Sequence, residues 1–99
     1  MTYEAAIKVV WPRAYQSEET GVWFVGTSGN YAPITFDAML AVWRERLDGW
    51  DWARSGDDLW LVSFPENTRA IRPWHHGTSN PIHDFTILTA LALQAKEKT

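Results

Sequence analysis

The last third of the chain contains the segment that most constrains the fold, PIHDFTILTALALQAKEK. Its residues from Pro81 onward are apolar around most of a helical circumference and become basic at the end. Asn80 can cap such a helix, and proline is favoured at the first helical position because its missing N–H leaves no hydrogen bond unmade. A helix without a polar face needs cover on several sides. The sequence therefore predicts a central buried helix over 81–96.

A second helix is predicted over 36–48, in TFDAMLAVWRERLDG. Thr35 can cap it, Asp37 suits the positive end of the helix dipole, and Gly49 ends it. Its apolar side chains recur at helical spacing and are Phe36, Met39, Leu40, Trp43 and Leu47. This pattern is typical of a helix that packs one face against a core.

Short β-favouring runs between turn residues supply the strands. VWFV (22–25) is predicted to be a buried strand between two glycines. WDWAR (50–54) and LWLVSF (59–64) are predicted to form a hairpin around the turn SGDD. RAIR (69–72) is predicted to be a short edge strand. Near the N-terminus, TYEAAIKVVW (2–11) predicts a short helix, although its IKVV portion favours a strand equally well.

These elements predict one domain, 1–99, of the α+β class. A three- to four-stranded antiparallel sheet packs against the two main helices, 36–48 and 81–96, with the short N-terminal helix in addition. The segments RAYQSEET and GTSGNYAP are predicted to be loops because of their polar, Gly and Pro residues.

Composition excludes several functional classes. The chain has no cysteine, which excludes disulfides, thiol catalysis and thiolate metal sites and fits a reducing cytosol. Its net charge of −3 argues against a DNA binder held by phosphate neutralisation. No run approaches the roughly 20 apolar residues of a membrane span, and the N-terminus lacks the pattern of a signal peptide. We therefore expect a cytoplasmic protein that neither enters a membrane nor binds nucleic acid directly.

All three histidines lie in RPWHHGTSNPIHD, together with Asp84. A metal needs three or four converging ligands, but His75 and His76 are neighbours that point to opposite sides of an extended segment. On the helix, His83 and Asp84 are splayed by about 100°. Known zinc and nucleophile spacings are absent. We therefore expect no metal, no cofactor and no catalytic residue: the histidines should be exposed loop residues, and Asp84 should stabilise the first turn of its helix.

Seven Trp, three Tyr and four Phe are more aromatic residues than one small core can hold. Some should therefore reach the surface, where Trp favours interfaces. For the tryptophans, the alternatives are that all of them are core, or that some form an exposed patch whose acidic edge suits a basic protein partner. Such an edge would repel the phosphates of single-stranded nucleic acid. The candidate partner-binding residues are Asp51, Trp52, Asp57, Asp58, Glu66 and Trp74.

Four segments in succession carry a resemblance to a known family. They are a helix of Ala, Met, Leu and Trp (Ala38 to Leu47), the pair Gly49–Trp50, a W-x-V-x-F strand (Trp60 to Phe64) and an Ala/Leu-rich final helix (Ile82 to Leu93). In this order they resemble phage α-β-α sandwich domains, small proteins of phages and prophages. The resemblance covers the chain from roughly residue 32 onward and implies no catalytic residues.

The resemblance implies a phage or mobile-element protein in a bacterial cytoplasm. Small, acidic, cysteine-free proteins of that kind resemble anti-CRISPR proteins, which block a basic nucleic-acid-guided effector by occupying its surface. We therefore expect a non-enzymatic inhibitor of a CRISPR effector. The alternatives are a phage accessory or structural protein that self-associates, a small enzyme that uses residues 75–84, and a nucleic-acid binder.

Overall fold

A computed structural model describes residues 1–27, 30–56, 58–65 and 73–98. Within these residues the helices are α1 (Tyr3–Val10), α2 (Phe36–Arg46) and α3 (Pro81–Glu97). The strands β1 (Tyr15–Gln16), β2 (Trp23–Thr27) and β3 (Asn30–Pro33) form one antiparallel sheet, which we call sheet A. The strands β4 (Asp51–Ser55), β5 (Leu59–Ser63) and β6 (Trp74–His76) form a second antiparallel sheet, sheet B.

Helix α3 is the central element that its sequence predicts. Asn80 caps it, because its side-chain oxygen accepts the backbone N–H groups of the second and third helical residues. Every residue of the segment 84–90 is buried. Its two threonines avoid an unsatisfied hydroxyl because Thr86 and Thr89 each donate to the carbonyl four residues earlier, at 2.7 Å. The helix is therefore covered on all sides without leaving these hydroxyls unpaired.

Phe85 lies at the middle of the aromatic core and is fully buried. Four rings surround it, with centroid distances of 4.7 to 6.1 Å: Phe36, Trp43, Trp52 and Trp60. These rings come from α2, β4 and β5, so one side chain of α3 joins a second helix to sheet B. Rings of this size bury a large apolar area at little cost in side-chain entropy.

Helix α1 separates two groups of buried side chains. Ala6 and Val10 belong to the main core around α3, whereas Ile7 packs with Ala14 and Val25 beneath sheet A. Thr2 caps this helix by accepting the N–H of the third helical residue at 3.1 Å. The layers therefore run from sheet A through α1 and α3 to sheet B, with α2 beside α3.

The α+β class, the two main helices and the short N-terminal helix are confirmed, but the strands are arranged differently. They form two sheets of three strands, where the sequence predicted one sheet of three or four. The segments predicted to be the loops RAYQSEET and GTSGNYAP contain β1 and β3. Strand β1 has two residues and β3 is exposed along its length, so neither shows the alternation that marks a strand. The predicted strand 69–72 lies outside the described residues.

Truncation of Phe85 tests the importance of the aromatic core. We expect Phe85→Ala to lower the free energy of unfolding by about 3–5 kcal/mol, because the cavity opens among four rings that cannot collapse into it. Urea denaturation followed by tryptophan fluorescence measures this. Phe36→Ala is the control, since Phe36 touches Phe85 but is 36% exposed. An equal loss in both variants would contradict the central place of Phe85.

Candidate protein-binding surface

Sheet B has one face toward α3 and one face toward solvent. Because paired residues of antiparallel strands point to the same side, the register assigns each side chain to a face. The inner face carries Trp52 with Val62, and Arg54 with Trp60 and His75. We call the opposite side the outer face. It carries Asp51 with Ser63, Ala53 with Leu61 and Trp74, and Ser55 with Leu59 and His76.

The outer face has an apolar centre. Trp74 is 61% exposed, the highest value among the large apolar side chains of the described residues. Leu61 and Leu59, half-buried on β5, lie beside it in the register. Exposed apolar side chains that are contiguous, rather than scattered singly, mark surfaces that meet another molecule.

Acidic side chains lie at both ends of the outer face. Asp51 is exposed at the start of β4. At the opposite end Asp58 lies just before β5, and its Oδ2 is 3.8 Å from Nε2 of the exposed His76. An apolar centre with a polar rim is the usual anatomy of a protein–protein interface.

The six residues predicted to bind a partner fall into three groups. Asp51, Asp58 and Trp74 come together on or beside the outer face. Trp52 is on the inner face, where it stacks on Trp60 at 5.7 Å between ring centroids and belongs to the core. The other two predicted residues, Asp57 and Glu66, lie outside the described residues.

A buried carboxylate holds β6 against α3. Asp84 is 1% exposed, and its Oδ1 accepts hydrogen bonds from His75 Nε2 at 3.0 Å, Thr78 N at 2.8 Å and Thr78 Oγ1 at 3.0 Å. Burial alone would raise the pKa of Asp84, but the hydrogen bonds from Thr78 and His75 outweigh it and hold this pKa below its usual value. Because His75 points inward, its neighbour Trp74 on the strand must point outward.

The prediction that the histidines are exposed loop residues is therefore wrong, since none of the three lies in a loop and only His76 is exposed. His75 belongs to β6 and bonds to Asp84, and His83 is half-buried and stacks on Tyr3 at 3.8 Å between ring centroids. His76 is exposed, but on a strand. The prediction that Asp84 stabilises the first turn of its helix was also incomplete, because its carboxylate accepts hydrogen bonds from His75 and Thr78, which precede the helix. Side-chain directions along a single element do not reveal that a strand packs across the helix.

Sequence reasoning missed a second aromatic group, on the solvent side of sheet A. Tyr15 stacks on Phe24 at 5.4 Å between ring centroids and meets the edge of Tyr31 at 5.2 Å. Tyr15 is 47% exposed and Tyr31 is 38% exposed. We call these three rings the tyrosine patch. The only sequence signal is one aromatic residue in each of three short segments, and the strands of sheet A contain no charged residue.

Metal clusters and membrane spans were not found in the described part of the chain. No three His, Asp or Glu side chains there converge as metal ligands would. None of the helices described above has the length and the apolar run that a membrane span requires.

No protein-family model matches this sequence, and no curated protein or solved structure is similar to it. The resemblance to phage α-β-α sandwich domains therefore stays a prediction. The geometry of the chain itself carries the functional argument.

Replacing Asp84 by Asn tests the buried carboxylate. In the folded protein the pKa of Asp84 lies below the unfolded value of about 3.9. The negative charge of Asp84 therefore stabilises the fold above that pH. This stabilisation is lost as the pH falls through the lower pKa of the folded state. We expect Asp84→Asn to lower the free energy of unfolding by about 1–3 kcal/mol at neutral pH, and the difference from wild type to shrink below about pH 4.

Urea titrations across this pH range measure both effects. Asp58→Asn, at an exposed carboxylate, is the control and should change the free energy of unfolding little. A loss in Asp84→Asn that stays constant from neutral pH to about pH 2 would show that the charge of Asp84 is not what stabilises β6.

Proposed function

We propose that this chain is a non-enzymatic protein-binding module and that the outer face of sheet B is its contact surface. The observation that carries the proposal is Trp74, which is 61% exposed on a strand whose next residue is fixed to the buried Asp84. Tryptophan is among the residues enriched at binding hot spots, where its ring enters an apolar pocket of the partner.

The anchoring of β6 lowers the cost of binding. Because His75 bonds to Asp84, the backbone that carries Trp74 is already held in place before a partner arrives. An interface of prearranged groups loses less conformational entropy on association than a mobile one. The same contacts on the outer face should therefore give a higher affinity.

The charges favour a basic partner. Asp51 and Asp58 flank the apolar centre, and the whole chain carries a net charge of −3. Carboxylates at a rim accelerate association with a Lys- and Arg-rich surface and disfavour acidic partners. The tyrosine patch has no charged residue on its strands, so it specifies a partner less well.

The more specific form of the proposal names the class of partner. We propose that the chain is a phage or mobile-element inhibitor of the anti-CRISPR type, which acts in the cytoplasm of a bacterial host. Its support is the resemblance stated above together with the acidic rim. CRISPR effectors present basic surfaces to nucleic acid, and carboxylates can compete with phosphates for the same Lys and Arg side chains.

Binding to purified CRISPR effector complexes tests this proposal. We expect Trp74→Ala to weaken binding at least about tenfold, since a central aromatic anchor is lost. We expect Asp58→Lys to slow association and to reduce its dependence on salt. Matched controls are Tyr31→Ala, an exposed ring on sheet A, and Asp37→Lys, an exposed acid at the start of α2. Surface plasmon resonance at two salt concentrations measures both rates.

Two results would contradict the proposal at different levels. Unchanged binding in Trp74→Ala, or equal weakening in Tyr31→Ala, would show that the outer face is not the contact surface. Failure to bind any CRISPR effector of the host would remove the anti-CRISPR form. If light scattering then showed a stable oligomer, a self-associating accessory protein would take its place.

A further inference from the structure

A cleft of about 320 Å³ lies between the C-terminal end of α2 and the start of β4. Three indole rings and three charged side chains line it: Trp43, Trp50, Trp52, Arg44, Asp48 and Asp51. This volume is at the low end of the range for ligand sites, so it suits one side chain or a small molecule.

The three indole rings are held in place by the core. Trp43 Nε1 donates a hydrogen bond to Thr89 Oγ1 at 2.9 Å. Trp52 packs against Phe85 at 4.7 Å between ring centroids, and Trp50 packs against Phe64 at 5.3 Å. The cleft is therefore preformed, and a ligand would not need to order its walls.

The backbone after α2 gives the cleft its shape. Gly49 has a φ of +83°, a conformation that favours glycine, and Trp50 N donates to the carbonyl of Leu47 at 2.9 Å. This turn brings Trp50 and the start of β4 back beside the last helical turn. The carbonyl of Arg46 at the end of α2 already accepts a hydrogen bond from Lys96 Nζ, so the preference of the cleft for a charge depends on its side chains.

The side chains of the cleft favour a cation. Two acidic residues, Asp48 and Asp51, and one basic residue, Arg44, line the cleft. The carboxylate of Asp51 is oriented by the N–H of Trp52, which donates to its Oδ1 at 2.8 Å. Indole rings attract cations through the negative potential of their faces. The acidic residues and the aromatic rings thus both favour a positively charged ligand.

We propose that this cleft binds a single cationic side chain, Lys or Arg, of a protein partner. The inference rests on the proposed function for the source of that side chain, since the basic partner would supply it. Asp51 belongs both to the outer face and to the cleft, so one bound protein can contact the two together.

Titration with N-acetyl-lysine-N-methylamide and its arginine counterpart tests the cleft without any partner. We expect both probes to produce saturable shifts of the indole N–H signals of Trp50 and Trp52 in ¹⁵N-correlated NMR spectra. The norleucine probe, which keeps the chain but lacks the charge, should bind at least about threefold more weakly. Asp48→Asn with Asp51→Asn should weaken lysine binding by at least a similar factor, about threefold. Asp37→Asn, at the opposite end of α2, should leave it unchanged.

Three results would overturn the cleft proposal: no saturable shift, equal binding of the norleucine probe, or unchanged binding in the Asp48→Asn, Asp51→Asn double variant. None of them would affect Trp74 and the outer face, so the proposed function would stand. Saturable binding of the lysine probe by a protein that binds no effector would support the cleft and count against the anti-CRISPR proposal.

Discussion

The packing around α3 is the constraint on which the rest of the structure depends. A helix that is apolar around its circumference cannot face water, so other elements must cover each side. Helix α2, helix α1 and sheet B provide that cover, and Phe85 contacts rings from α2 and from sheet B. Sheet A packs on the far side of α1, through Ile7, and does not belong to the main core.

The buried carboxylate of α3 links this packing to the proposed contact surface. Burying Asp84 costs free energy, which its hydrogen bonds to His75 and Thr78 offset. The same bonds dock a three-residue strand that has little apolar surface of its own to hold it. Since side chains alternate along a strand, the inward position of His75 determines the outward position of Trp74. The buried contact between His75 and Asp84 thus leaves the ring of Trp74 exposed to solvent.

The sequence predicted what depends on local chemistry. Helices α2 and α3 follow from apolar spacing and from the caps Thr35 and Asn80, which bond to neighbours two or three residues away. Strands β1, β3 and β6 have two to four residues, and their conformation depends on the partner strand rather than on their own pattern. The sequence also predicted only part of the candidate site, because the rest depends on contacts between distant segments. Whether Trp52 or Trp74 faces solvent depends on strand register and on the contact of His75 with Asp84, which lies nine residues along the chain.

The most direct test of the central claim, that the outer face of sheet B meets a basic protein partner, is photo-crosslinking in host cells. A benzoylphenylalanine residue would replace Trp74 in one variant and Tyr31 in another, and adducts would be identified by mass spectrometry. We expect position 74 to form an adduct with a protein whose surface is rich in Lys and Arg, and Asp58→Lys to reduce the yield of that adduct. We expect no such adduct from position 31. The same adduct from both positions, or none from position 74, would show that the outer face of sheet B is not the contact surface.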